Sequence, residues 1–360
     1  MLHGTKTWGT PVVFESSAID DEPHICAGGN RVHVTYRASD SVGGIRSASI
    51  SGTTLTFAAE TTWTTNFSAA SGGLDEMAAG SIGRVGSVYD TSADRYLTAY
   101  TDEGNSYYGT AVVSQLTNAD TGAMTWGTPV VFVSESVETR SQGVAYDSNT
   151  SRSLILYKGS DNVGHAVVAT VTAGTNAVAY GSEATFNSDG TSNMVAVEDP
   201  STDRILVVFA DNGDSEKGKA TVATITGGTT NTVAFGTQAT FESGSIDSPS
   251  AAYSPDLTKS LIVWGHKQDK LGEAVVATVT GGTTNTVAFG SPATFSAAGT
   301  KGANNSITYS GCAYDTVGDR FVIAFGDPGD SGHSKIIGCT VSGTTPSFGS
   351  AVKLQADGGG

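Results

Sequence analysis

At 360 residues, with Lys+Arg 19 against Asp+Glu 35 and a net charge of −16, the chain is acidic and of a length that one all-β ring commonly fills. Such a surface cannot neutralise phosphate, which excludes nucleic acid as a partner and argues against anionic lipid. No run approaches the ~20 apolar residues of a membrane span, and Cys26, Cys312 and Cys339 are too scattered for a disulfide framework, so they are expected to be small buried hydrophobes.

In chain order, Met1 to Lys6 has no apolar core of the kind a secretory signal requires, so synthesis and folding in a reducing cytoplasm are expected. Trp8-Gly9…Phe14 then introduces an aromatic-Gly-x-x-x-x-Phe phrase that organises the rest. It returns as Trp126-Gly127…Phe132, Tyr180-Gly181…Phe186, Phe235-Gly236…Phe241, Phe289-Gly290…Phe295 and Phe348-Gly349…Leu354, with a degraded copy at Phe57-Ala58…Trp63. The closing positions are 49, 69, 54, 55, 54 and 59 residues apart. A period near fifty residues signals a propeller or solenoid.

One period spells out its own strands. Gly143–Tyr146, Arg152–Tyr157 and His165–Thr172 are short β-branched runs separated by Asx- and Gly-containing turns, and Val178 to Phe186 supplies a fourth. Four antiparallel strands cannot bury both faces alone, so neighbours must stack on them. The expected fold is an all-β, six-bladed β-propeller of four-stranded blades, with boundaries near 15–63, 64–132, 133–186, 187–241, 242–295 and 296–354. Each second strand ends on an aromatic (Tyr36, Tyr100, Tyr157, Phe209, Trp264, Phe325), as wedge-filling between twisted blades requires. Seven fourth-strand phrases for six sets of inner strands leave either residues 7–14 or 346–354 surplus, closing the ring or offering an edge.

Residues common to every repeat belong to the framework. This disposes of Gly329-Asp330-Ser331-Gly332, which is a hairpin turn rather than a protease nucleophile segment. It also disposes of the arginines opening the second strand (Arg31, Arg95, Arg152, Arg204, Arg320) and of the four tryptophans. No GxSxG, HExxH, Walker or CxxC signature is present. In three repeats the turn after the second strand carries two Asx oxygens: Asp102 with Asn105, Asp211 with Asp214, and Asp327 with Asp330. Such a loop could hold Ca²⁺, although capping of the turn explains the same residues. No other cofactor is indicated.

The repeats differ most in the crossover from each fourth strand to the next first strand, where binding residues of a rigid framework collect. Candidates there are Asp20, Asp21, Glu22 and His24, then Glu76 and Arg84 at a long insertion, then Glu138 and Arg140, Asp247, and Asn304 in a second insertion. Carboxylates with arginines suit a polyhydroxy ligand. Facing pairs drawn from Asp20/Asp21, Glu138 and Asp247 would suit glycoside hydrolysis. Tyr107 and Tyr108 lie outside the repeated positions and are candidate contact aromatics, as are Phe67 and Tyr309.

The run Ala274-Val275-Val276-Ala277-Thr278-Val279-Thr280-Gly281-Gly282-Thr283, closing on Phe289-Gly290-Ser291-Pro292-Ala293-Thr294-Phe295, resembles tandem-repeat proteins of marine tailed phages, cyanophages among them. The Ala-Tyr-Asp and Asp-x-Gly-Asn-Ser phrases elsewhere in the chain share the resemblance, which covers nearly its whole length. It implies a virion component, tail-associated and oligomeric in the particle, that contacts the host envelope and is released by lysis. It transfers no functional residue. The expected activity is non-enzymatic adhesion to a host-surface glycan, with a structural decoration or adaptor role toward other virion proteins as the alternative and a polysaccharide-degrading glycosidase as the second. A plain cytoplasmic protein would share the same composition.

Overall fold

The computed structural model describes residues 12, 24–28, 31–37, 43–51, 54–58, 61–62, 85–102, 105–118, 123–228, 231–283, 285–297, 308–330 and 332–354. Among these the chain is all-β, with several antiparallel sheets and no α-helix. Among the described residues no helix is long and apolar enough to cross a membrane. It divides into two compact units, Met1–Ser141 with Ala169–Tyr180, and Gln142–Val168 with Gly181–Gly360.

In the first unit, His24–Gly28, Arg31–Arg37, Gly43–Ser51 and Thr54–Phe57 pair in sequence order, and Thr61–Thr62 also pairs with Gly43–Ser51. The next sheet runs Gly86–Asp90, Arg95–Asp102 and Tyr108–Asn118, with Ala123–Trp126 and Val130–Ser136 sharing the outer edge of the last. Its second strand is buried along its whole length, Arg95 and Asp102 included. Cys26 is buried, and loss of solvent pushes its thiol up to about 12.

The second unit repeats the same plan. Arg204–Asp211 and Lys217–Thr226 form the middle of one sheet, Lys259–His266 and Gly272–Thr280 of the next, Arg320–Asp327 and His333–Ser342 of the last. The fourth strand is split in each. Thr232–Phe235 pairs with the far end of Lys217–Thr226, and the chain then jogs at Gly236 before Ala239 resumes the pairing. Here the expectation of crossover loops is corrected. Ala184–Asp199 and Ala239–Ser254 are continuous 16-residue strands. Their first halves edge one sheet and their second halves open the next. The change of sheet is made by a register shift instead of a loop, between Ser192 and Val195 and between Asp247 and Ser250, where Asn193 and Ser248 take positive φ.

The C-terminal phrase is part of a sheet. Thr345–Phe348 and Val352–Lys353 both pair with His333–Ser342 and complete its sheet. The other copy that could be surplus, residues 7–14, lies outside the described residues apart from Val12.

The repeated phrase explains itself at the seams between successive sheets. Its closing Phe wedges between the second-strand aromatic and the phrase aromatic of the next sheet. Phe186 meets Phe209 and Phe235 with ring centroids 5.2 and 5.8 Å away. Phe241 meets Trp264 and Phe289 at 5.0 and 5.7 Å. Phe295 meets Phe325 and Phe348 at 5.1 and 5.8 Å. Each such pair adds about 0.5–1.5 kcal/mol beyond its buried area. Beside the wedge lies a polar clasp. Arg204 Nε donates to Asn285 Oδ1 at 2.6 Å, Arg152 to Asn231 at 2.7 Å, and Arg95, in the first unit, to Asn176 at 2.6 Å. The arginines thus serve the framework, as their regular recurrence suggests. The three asparagines sit at positive φ, which Asn tolerates.

The phrase glycine makes the clasp possible. A Cβ on Gly127, Gly181 or Gly236 would overlap the carbonyl oxygen of Asn176, Asn231 or Asn285 outright. At the last seam the partner is Thr344, and there the cation opening the preceding second strand is Lys259, not Arg. Gly349, whose nearest neighbour for a Cβ is a carbonyl oxygen at 3.8 Å, has no following sheet against it in the sequence order. Accordingly Gly236→Ala should cost about 2–3 kcal/mol of stability in urea unfolding, whereas Gly349→Ala should change it by no more than about 0.5 kcal/mol. Equal effects would refute the close-approach explanation.

Candidate functional site

Framework positions account for most of each repeat, so a site is sought where equivalent positions carry different chemistry. One such position lies on the third strand, directly across from the second-strand aromatic. It is Thr110 opposite Tyr100, Lys219 opposite Phe209, Glu273 opposite Trp264 and Lys335 opposite Phe325. Antiparallel pairing places such partners on one face of the sheet, so these side chains stand above the aromatic wedge. The residue two beyond the aromatic joins them: Asp102, Asp211, His266 or Asp327. The residue after the wedge Phe, Asn187 or Glu242, comes in from the preceding sheet.

In the Asn187 groove these groups are fully engaged. Lys219 Nζ donates to Asp211 Oδ2 at 2.6 Å and lies 3.0 Å from Asp214 Oδ2. Lys217 pairs with Asp214 at 2.8 Å. Asp211 is 1% exposed, and its other oxygen accepts from Gly213 N–H at 3.1 Å and from Asn187 Nδ2 at 3.4 Å. Burial works against the Lys219 charge, but the hydrogen bonds it donates to both aspartates outweigh it and hold the ammonium above the usual lysine range. The last sheet repeats this. Lys335 Nζ lies 2.6 Å from Asp327 and 3.1 Å from Asp330, which also takes Lys353 at 2.9 Å. The carboxylates expected around Ca²⁺ thus converge in two sheets on a lysine from the neighbouring strand. Asp211 and Asp327 also cap their turns through Gly213 and Gly329 N–H. Among the described residues no three His, Cys, Asp or Glu side chains are grouped to hold a metal ion. Asp102 is buried and Asn105 half-buried in the corresponding turn of the first unit, where the strand carries Thr110 in place of the lysine.

The groove between, around Trp264, differs in kind. His266 Nδ1 accepts from Asp269 N–H at 3.2 Å, which places the neutral ring's proton on Nε2. Nε2 lies 3.7 Å from Glu242 Oε1, and Nδ1 3.6 Å from Asp269 Oδ2, both beyond hydrogen-bond reach. Glu242 Oε1 accepts from Gly244 N–H at 2.7 Å. Glu273 accepts from Thr294 Oγ1 at 3.4 Å, and its carboxyl is held above the usual range by burial first and by the Glu242 charge second. Beneath them Trp264 is fully buried, and its indole N–H has no acceptor among the described residues. Lys267, next along from His266, turns its ammonium to Glu216 at 2.8 Å.

The crossover candidates fare unevenly. Asp20, Asp21, Glu22, Glu76, Arg84, Asn304 and Phe67 lie outside the described residues. His24 opens its strand and accepts from Ser87 N–H at 3.3 Å, with burial pushing it down to about 4. Glu138 is the half-buried first residue of Glu138–Asp147; Arg140 follows on that strand and Tyr309 on Thr308–Asp315, both with side chains outside the described set. Asp247 accepts from Ser248 N–H at 2.8 Å at the register shift. Tyr107 is exposed with positive φ, and Tyr108 is half-buried. Glu242, His266 and Glu273 were not among the sequence candidates. Their signal was available in the alternation of Lys219, Glu273 and Lys335 at one register position.

No family model matches the sequence, and none of the curated proteins does. The fold has solved relatives. A Bacteroides fragilis protein provisionally assigned as a 6-phosphogluconolactonase is 12% identical with a TM-score of 0.55, over 91% of this chain and 82% of that one. The intramolecular trans-sialidase of Ruminococcus gnavus, in complex with oseltamivir carboxylate, is 9% identical with a TM-score of 0.55, over 87% and 91%. A triple arginine-to-alanine mutant of AofleA from Arthrobotrys oligospora is 13% identical with a TM-score of 0.51, over 91% and 89%. The architecture is propeller-like. Likeness at this level of identity speaks to fold alone.

The raised carboxyl of Glu273 has a testable consequence. A carboxyl whose folded value exceeds its ordinary one contributes stability below the ordinary value and loses it as pH rises through the raised value. Glu273→Gln removes that loss. Its melting temperature should equal the wild type's below about pH 4 and exceed it by about 1–2 °C at pH 7. A difference that does not vary with pH would contradict the assignment.

Proposed function

We propose that this chain is a non-enzymatic, carbohydrate-binding propeller whose sheets form a six-bladed ring, carried as a tail-associated component of a phage particle and directed at host envelope polysaccharide. The observation that carries the reading is the row of polar positions that vary from sheet to sheet. At one register position above an invariant aromatic wedge, successive sheets of the second unit present Asp211 with Lys219, then His266 with Glu273, then Asp327 with Lys335. A framework that repeats its core and varies one polar position per repeat offers a series of related shallow sites, which suits a polymer of related sugars. Several weak contacts, multiplied over a particle, reach useful avidity without one tight pocket. The acidic surface, with net charge −16, favours neutral or cationic polymers.

One observation favours an adaptor role as the second reading. In the first sheet the cross-strand pair Ile50 and Leu55 is 57% and 37% exposed, whereas the same pair in a later sheet, Ile225 and Val233, is 7% and 8% exposed. An uncovered apolar pair invites another virion subunit.

The test is retention of the full-length protein, clustered on a multivalent support, by a panel of bacterial envelope polysaccharides, with calcium and with EDTA. Retention of a defined glycan, unshortened and unaffected by EDTA, is the expected result. Silence across the panel would overturn the reading in favour of the adaptor, and shortening of the polysaccharide would make the protein an enzyme.

A further inference from the structure

Within the first unit, the seam between the first two sheets departs from the repeat at two register positions. In the later sheets the residue following the opening cation by two places is apolar: Leu97, Leu154, Leu206, Leu261 and Val322. In the first sheet it is His33, and its cross-strand partner is Ser47, where Leu97, Leu206 and Leu261 face Val113, Val222 and Val276. His33 is 0% exposed and lies against Tyr96 of the second sheet with ring centroids 4.1 Å apart. Its Nδ1 is 2.8 Å from Ser47 Oγ, and its Nε2 has no partner among the described residues.

The second departure is in the link between first strands. In the second unit the backbone N–H of Cys312 donates across a seam to Ser250 Oγ at 3.0 Å. At the matching register of the first seam, Ser87 N–H donates to Nδ1 of half-buried His24 at 3.3 Å. A hydroxyl accepts at any pH. An imidazole nitrogen accepts only while it carries no proton.

We infer that this seam is an acid-operated joint, in which protonation of His24 and His33 parts the first sheet from the second. A proton on His24 Nδ1 sets two donors face to face and removes the link to Ser87. A charged His33 has a donor at each nitrogen, and Nε2–H finds no acceptor among the described residues.

The surroundings offer the charged rings no relief. Cys26 stands opposite His33, and Arg31 on the same strand adds a like charge. From the second sheet, the Tyr96 hydroxyl donates to Gly28 O at 2.8 Å and the Tyr89 hydroxyl to Asp94 at 2.5 Å, while Asp90 caps its own turn through Ser92 and Ala93 N–H. Arg46 turns to the Tyr36 hydroxyl at 3.4 Å. Asp20, Asp21 and Glu22, just before His24, lie outside the described residues. Burial pushes both rings down from the ordinary 6.5 to about 4. Imidazoles so held lend stability that is whole above the ordinary value and is lost as pH falls toward the lowered one.

The histidines of the second unit are placed differently. His165 lies 3.3 Å from Asp161 and from Glu183, His266 3.7 Å from Glu242 and 3.6 Å from Asp269, and His333 3.6 Å from Asp330. Each has a carboxylate beside it to meet a charged ring. Acid therefore loads the first seam and spares the second unit.

The experiment is backbone hydrogen exchange of the full-length protein, corrected for its intrinsic pH dependence, alongside NMR titration of the imidazoles. From about pH 7 to about pH 5, protection of His24–Gly28 and Gly86–Asp90 should fall at least about tenfold, and that of Lys259–His266 less than about threefold. A variant combining His24→Ser, His33→Leu and Ser47→Val rebuilds the hydroxyl link of Ser250 and the apolar pair of Leu206 and Val222. It should keep its protection over the same range. Equal loss in both units, or loss that persists in the folded variant, overturns the inference. Should the variant fail to fold, the wild-type titration decides: His33 taking its proton at the ordinary value while these strands stay protected overturns it as well.

Discussion

Everything regular in this chain depends on how closely one sheet's outer hairpin can approach the bend in its neighbour. An Asn carbonyl rests on a glycine that has no side chain to push it away, an arginine from the neighbouring sheet holds the Asn amide, and a phenylalanine fills the wedge alongside. These parts are mutually conditional. The Asn must adopt positive φ for its carbonyl to turn inward, the glycine must lack a Cβ, and the Arg must reach across to a different repeat. Where one part changes, another does: Thr344 replaces the Asn at the seam whose cation is Lys259. The buried strands behind the seam, such as Leu206, Val208, Ile262 and Trp264, supply the bulk of the hydrophobic stabilisation. The seam sets their spacing.

Most of this was legible in the sequence because it recurs. The phrase glycine, the wedge phenylalanine and the second-strand aromatic each return at a fixed interval, and strand alternation makes their faces readable. The arginine's role was legible as structural, but its partner was not, since Arg152 and Asn231 are 79 residues apart and meet only through sheet stacking. The aspartate turns show the opposite difficulty. Two carboxylates on a Gly-containing loop look like a calcium loop when read along the chain. Lys219 lies eight residues beyond Asp211, and only antiparallel pairing brings its ammonium between them.

The groove around Trp264 was harder still. Glu242 and His266 belong to different sheets, brought together because the Ala239–Ser254 strand continues from one sheet into the next. Sequence reasoning placed the variable chemistry in crossover loops, where it is expected on a rigid framework. At Ala184–Asp199 and Ala239–Ser254 the crossover is strand, and its polar residues are absorbed in turning the chain: Asp247 caps Ser248, and Asn187 supports Thr191 and Asp211. The remaining variation sits one layer outward, above the aromatic wedge, at Lys219, Glu273 and Lys335.

The shared strands carry a mechanical consequence. Ala184–Asp199 and Ala239–Ser254 each belong to two sheets, so tension along the chain cannot peel one repeat away hairpin by hairpin. A pull must shear a row of backbone hydrogen bonds in one sheet while loading the first strand of the next. A tether built this way would yield in steps of whole repeats and hold its shape until each step is taken.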